Sequence, residues 1–354
     1  MNATRINPPT APFSCVYSPN LPELLMQLNC TIAISTFQAG KVLFISPKNE
    51  EELVLLPRTF YKAMGIAIEE DKMAIATKSE VIVLKNSPQL AASYPKKPNT
   101  YDALYTPRLT YYTGMVDIHD LHFGADKLWA VNTSFSCLCS IDEVYSFTPQ
   151  WKPHFITNLA SEDRCHLNGL AMENGRPRYI SALGKSDKPS GWRENIVKGG
   201  ILMDVESNEV IANGLAMPHT PRIWDDKLYL LLSAGQRLVC LDPQNGKYET
   251  VTHIPGFVRG MAKYGDYVFV GTSKLRKNSS TFRHLEIAES ANEAAITIIH
   301  LPTGAKVGKL TFRASVDELY DIQILPNMIR PNIINTYGNT HEQSLVIPNH
   351  TFWS

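Results

Sequence analysis

"TPRIWDDKLYLLLSAGQRLVCLDPQNG", residues 220–246, holds three apolar runs divided by short polar bends and closed by a third bend. The runs are too brief for helices and are rich in Leu, Tyr and Val, so they read as strands. "WDDK" suits a tight hairpin, because aspartate tolerates the left-handed backbone that such turns need. The same grammar returns in "MGIAIEEDKMAIATKSEVIVL" (64–84), "HDLHFGADKLWAVNTSFSCLCSID" (119–142), "NGLAMENGRPRYISALG" (168–184) and "RGMAKYGDYVFVGTSK" (259–274). Starts lie about 40 to 60 residues apart, close to the length of a four-stranded propeller blade.

"LYDIQILP" (319–326) has only the first strand of a sixth unit. "TIAIS", "KVLFIS" and "ELVLLP" (31–57) supply three strands at the other end of the chain. Pairing the two in one blade would close the ring and leave no free sheet edge. The expectation is an all-β, six-bladed propeller spanning 30–354, behind an irregular lead-in over 1–29 that holds two adjacent prolines. Two long insertions, "SDKPSGWRENIVKGG" (186–200) and the stretch around "FRHLEIAESANEAA" (282–295), interrupt blades three and five. Long loops in a compact domain are often functional.

The chain has 354 residues with 34 basic and 34 acidic side chains. That balance argues against a non-specific nucleic-acid or anionic-membrane binder. No stretch is long and apolar enough to span a bilayer. The start of the sequence lacks the apolar run of an export signal, so the expected location is the cytoplasm. In that setting the six scattered cysteines read as free thiols, with Cys137 and Cys139 on one face of a strand. Walker, dinucleotide-binding and nucleophile-elbow motifs are absent.

Stacking the repeats on their apolar triplets lines up the channel entries. Two positions before the triplet stand Met64, His119, Asn168, Thr220, Arg259 and Tyr320; one before stand Gly65, Asp120, Gly169, Pro221, Gly260 and Asp321. His166, His219 and Arg222 lie close by. His119 and His122 fall on opposite sides of their strand, which favours His119 for the mouth. These residues could hold a divalent ion (zinc, manganese, iron or calcium), with Asn168, His119, Asp120 and Asp321 as ligands. They could equally bind and protonate a polar molecule. His119, His219, Arg259 and Arg222 are the candidates for catalysis. Arg222 and Arg259 point to an anionic ligand, with His166, Tyr320, Lys274 and Arg276 as further contacts.

"NGLAME", its glycine turn and "RYISALG" resemble the metal-site blade of the gluconolactonase, senescence-marker and strictosidine-synthase-like six-bladed propellers. In that superfamily the Asn before Gly-Leu-Ala is a metal ligand, so the resemblance points to Asn168 and to hydrolase or lyase chemistry. "STFQAGK" (35–41), "HDLHF" and "HLNGLA" look closer still to an uncharacterised bacterial family of conserved hypothetical proteins. The expected ligand is a small anionic or polyhydroxy molecule. The alternative is a non-catalytic propeller that binds a ligand, a glycan or a protein partner.

Overall fold

The computed structural model describes residues 11–275, 282 and 285–354. Six sheets, each built on four antiparallel strands, stand around a central channel. Blade one runs from the inner strand Ile66–Glu69 through Lys72–Ala76 and Glu80–Asn86 to Ala103–Tyr112. The inner strands of blades two to five are Ile118–Gly124, Leu167–Glu173, Pro218–Trp224 and Phe257–Tyr264. Blade six takes its inner strand, Ile322–Pro326, from one end of the chain and Cys30–Thr36, Lys41–Pro47 and Leu53–Thr59 from the other. Cys30 pairs with Pro326 and Ile34 with Ile322, so the ring closes as the sequence pattern requires.

The hairpins follow from their bends. Ala125–Asp126, Asn174–Gly175 and Asp225–Asp226 are two-residue loops in which both residues take positive φ. That backbone twists with the strands on either side and fixes their register.

Residues 15–27 depart from the irregular lead-in expected there. Cys15–Tyr17 adds a fifth strand to the outer edge of blade five, against Leu310–Phe312. Leu21–Gln27 then forms a helix with a proline in its first turn, a position where the missing N–H costs nothing. It buries Leu21 and Leu25. Beyond blade six, Pro331–Ile333 pairs in parallel with Ala103–Tyr105 on blade one. Arg58 of blade six donates to Asn332 Oδ1 at 3.0 Å and to the Ile333 carbonyl at 3.2 Å. Each end of the chain thus covers an outer strand next to the split blade.

The channel wall alternates. Gly65, Gly169 and Gly260 in the odd blades face Asp120, Pro221 and Asp321 in the even ones. A Cβ on Gly169 would stand 2.7 Å from Pro221 Cδ, and one on Gly260 would stand 2.9 Å from Asp321 Cα. Glycine therefore lets neighbouring inner strands approach at the crowded axis. The aspartates do the reverse service. Leu170 N–H donates to Asp120 Oδ2 at 3.0 Å and Ile66 N–H donates to Asp321 Oδ2 at 2.8 Å, each from the next blade.

Candidate functional site

One mouth of the channel widens into a cavity of about 530 Å³. Blades two, three and four each send one histidine to it: His119, His166 and His219. Arg259 and Tyr320 come from blades five and six. The two insertions build the remaining wall. A 3-10 turn at Gly191–Asn195 brings Trp192 from blade three, and the blade-five insertion brings Leu275, Phe282 and Ile287. These pack with Leu183, Met217 and Phe257 into one apolar cluster across the top of blade four.

The histidines share a design. His119 Nδ1 lies 3.1 Å from the Asp117 carbonyl, and His219 Nδ1 lies 3.0 Å from the Met217 carbonyl. A carbonyl oxygen can only accept, so both Nδ1 atoms carry the proton. Both carbonyls belong to residues two positions earlier with positive φ, 55° at Asp117 and 57° at Met217. Ser233 Oγ adds a contact to His219 Nδ1 at 2.8 Å while donating to the Val258 carbonyl. His166 uses a side chain instead: its Nδ1–H donates to both Asp163 carboxylate oxygens, at 2.9 and 3.0 Å. Among the described residues the Nε2 atom of each ring makes no hydrogen bond.

Electrostatics keep two of these rings neutral. Burial pushes His119 down to about 4, against the ordinary imidazole value near 6.5. Burial, with the nearby Arg259 charge, lowers His219 well below that value too. The rings pack edge to face, His119 with His166 at 4.8 Å and with Tyr320 at 5.5 Å between centroids. The Arg259 guanidinium lies 3.6 Å from the Tyr320 ring centroid and 3.6 Å from a Glu318 carboxylate oxygen. The Glu318 contact is an ion pair longer than a direct hydrogen bond. Lys274 sits at the rim, 2.9 Å from Asp317. Arg276 lies outside the described residues.

Below the cavity the channel narrows to a polar throat. Arg222 belongs here, not to the mouth. Its Nη1 donates to Asp120 Oδ2 at 3.0 Å and to the Leu170 and Pro221 carbonyls. Burial works against the charge on Asp120, but Arg222 and His122 beside it hold the carboxyl well below the usual range. Asp321 accepts from Ile66, Ile322 and Gln323, and burial together with the charge of Asp120 pushes it up to about 6. Asn168 and Tyr320 also reach the throat, and Asn168 Nδ2 and Tyr320 Oη are buried without a partner. His122 faces the opposite mouth, 3.3 Å from Asp120.

Asn168, His119, Asp120 and Asp321 therefore do not fit a divalent ion. Both carboxylates are spent on backbone amides of the next blade, and a guanidinium already stands against Asp120. Among the described residues no three His, Cys, Asp or Glu side chains are placed to hold an ion. Among the described residues no helix is long and apolar enough to cross a membrane, and the six cysteines are free.

A family model described as "Domain of unknown function (DUF4915)" matches residues 19–334. The chain belongs to the DUF4915 family. No curated protein matches it. Among solved structures, one described as "Crystal structure of Nidogen/Laminin Complex" has a TM-score of 0.48 and 10% identity, covering 84% of this chain and 99% of that one. The Pan2 WD40 domain of Neurospora crassa has a TM-score of 0.41 and 10% identity, covering 69% of this chain and 64% of that one. These likenesses are too distant to carry any statement about activity. Of the two resemblances in the sequence, the sheets themselves bear out the six-bladed architecture and the family model an uncharacterised family; nothing specific to the gluconolactonase type is supported.

The residues that sequence reasoning passed over are the anchors. Asp117, Asp163 and Met217 hold the three imidazoles, yet only Asp163 left a trace, three residues before His166 in "EDRCHLNG". The carbonyl anchors leave none, because any residue type provides a carbonyl.

Proposed function

We propose that the mouth of this DUF4915 propeller is an enzyme site for a small organic anion with an apolar body. The observation that carries the reading is the trio of imidazoles lining one cavity, each tied from behind at Nδ1 and each with an Nε2 that makes no hydrogen bond among the described residues. Rings held this way are ready to accept a proton or a hydrogen bond from a bound molecule. Arg259, stacked on Tyr320, supports a carboxylate or similar anion at the axis end of the cavity. Trp192, Phe257 and Phe282 support an apolar or aromatic remainder against the opposite wall.

The reading is tested by thermal melting of the full chain with a panel of aliphatic and aromatic carboxylates, inorganic phosphate and neutral polyols. Aromatic carboxylates should raise the melting temperature in a concentration-dependent way, and Arg259→Met should weaken that binding about tenfold or more. Equal stabilisation by neutral polyols, or carboxylate binding unchanged in Arg259→Met, would overturn the anion assignment. A purely binding propeller would respond to the same ligands and return them chemically unchanged, which NMR of the recovered ligand reads directly.

A further inference from the structure

The three histidines are not equivalent, and the difference singles out one of them. His119 and His219 make their Nδ1 hydrogen bonds to backbone carbonyls, with the Asp117 carboxylate standing further off, 3.7 Å from His119 Nδ1. His166 alone donates its Nδ1–H to a carboxylate, Asp163, through two contacts of 2.9 and 3.0 Å. That carboxylate is itself held: Trp192 Nε1–H donates to Asp163 Oδ2 at 2.9 Å. The indole ring also covers the imidazole, with centroids 4.3 Å apart. Trp192 is 2% exposed, so this clamp is part of the packed wall rather than a surface contact. Asp163 and His166 both take left-handed backbone, φ 47° and 52°. Such backbone in non-glycine residues costs energy and persists where the surroundings impose it, often at functional sites.

From this geometry we infer that His166 is the group that moves a proton in the cavity, with Asp163 and Trp192 as positioning residues. The inference rests on the proposed reading of the mouth as an enzyme site and adds the residue that does the work. The step is a simple one. The Nε2 lone pair of His166 takes a proton from an O–H of the bound molecule or from an attacking water. The electron pair of that bond stays on the oxygen. The imidazolium so formed is stabilised by the Asp163 carboxylate behind it and later returns the proton to the leaving group or to solvent. Among the described residues His219 has only carbonyl and hydroxyl partners at Nδ1, and the Asp117 carboxylate stands 3.7 Å from His119 Nδ1, too far for a hydrogen bond, so those two are better suited to accept hydrogen bonds from the ligand. The blade-three insertion, through Trp192, thus sets the direction of the base as well as the shape of the pocket.

The test uses 4-nitrophenyl acetate as probe and the full chain as the protein. Water adds to the acyl carbon and gives one proton to His166, the bond to the phenolic oxygen breaks, 4-nitrophenolate leaves with the electron pair of that bond, and the acetic acid formed releases its proton to solvent. The wild type should hydrolyse the probe faster than buffer. His166→Gln and Asp163→Asn should each lower that excess rate about 100-fold, with a smaller fall in Trp192→Phe, which keeps the ring but loses the N–H. The exposed control His253→Gln should match the wild type. In ¹⁵N NMR, Asp163→Asn should convert His166 from the Nδ1–H to the Nε2–H tautomer, a change that a merely structural aspartate would not produce. No excess rate in the wild type, or an unchanged rate in His166→Gln, overturns the proton-moving role. Loss in His166→Gln, with rate and tautomer both unchanged in Asp163→Asn, overturns the positioning role. Carboxylate-induced melting shifts, read on the same variants, report the binding reading separately. Their loss in Arg259→Met but survival in Asp163→Asn tells failure of one idea from failure of the other.

Discussion

His119 and Asp120 are consecutive residues on one strand, yet they belong to different kinds of region. Asp120 faces the throat, where its carboxylate ends on Leu121, Leu170 and Arg222. His119 faces the mouth, where one ring nitrogen is tied to Asp117 and the other is left to the cavity. The throat uses polar groups to join blades, while the mouth anchors each ring from behind and leaves its front available. Polarity near a propeller axis is therefore no guide to function by itself. The informative feature is whether a side chain's hydrogen-bonding capacity is used up by its own fold.

This contrast can be broken most severely in the throat. Asp120→Asn keeps the shape but leaves the buried Arg222 without its countercharge. It should cost about 3–5 kcal/mol in denaturant unfolding, and a variant as stable as wild type would show that the pair does not hold the ring. Gly260→Ala adds a Cβ where φ is +71° and Asp321 Cα stands 2.9 Å away. A loss of about 1–3 kcal/mol is expected there.

A smaller effect is written in pH. His119 is held down to about 4 by burial, while in the unfolded chain it titrates near 6.5. Between those values the unfolded chain binds the proton and the folded one does not. Stability from this group is thus present above the higher value and is lost as pH falls toward the lower. Asp321, raised to about 6, acts in the opposite sense: its contribution is present in acid and fades as pH rises through 6. Comparing wild type with His119→Phe isolates the histidine. From pH 7 to pH 5 the wild type should lose roughly 1–2 kcal/mol more than the variant, and parallel curves would remove His119 as the cause. The smallest change is expected at the mouth itself. His166→Gln should alter unfolding stability by no more than about 1 kcal/mol, although the same substitution should lower the excess rate with the probe about 100-fold.

How much of this was legible in the sequence follows from what leaves a periodic signal. Alternating apolar runs and the bends "GADK", "ENGR" and "WDDK" repeat, so the blades and the split sixth unit could be read directly. Stacking the repeats brought His119, His166, His219, Arg259 and Tyr320 to one end of the channel, because equivalent positions in a ring converge. What stacking lacked was depth. It set Asp120, Arg222 and Asp321 beside the histidines, but one residue along an inner strand is enough to move a side chain from the open cavity into the throat. The partners that decide the matter lie in the next blade, where no local pattern records them. The strand at Cys15–Tyr17 escaped for a related reason: three residues are too few to show a period, and their pairing partner lies at the far end of the chain.

That pairing has a consequence for the order of events during synthesis. Blades one to five are each built from neighbouring segments and can form as the chain emerges. Cys30–Thr36 must wait for Ile322–Pro326, and Cys15–Tyr17 for Leu310–Phe312. Contacts so remote in sequence form late and slowly. Until they do, Ile32, Ile34, Leu43 and Ile45 have no inner strand to cover them. The nascent protein therefore carries an open, sticky edge until Ile322–Pro326 is made, and that strand acts as the latch. A truncation before Ile322 should leave a five-bladed arc prone to aggregate rather than a smaller stable ring.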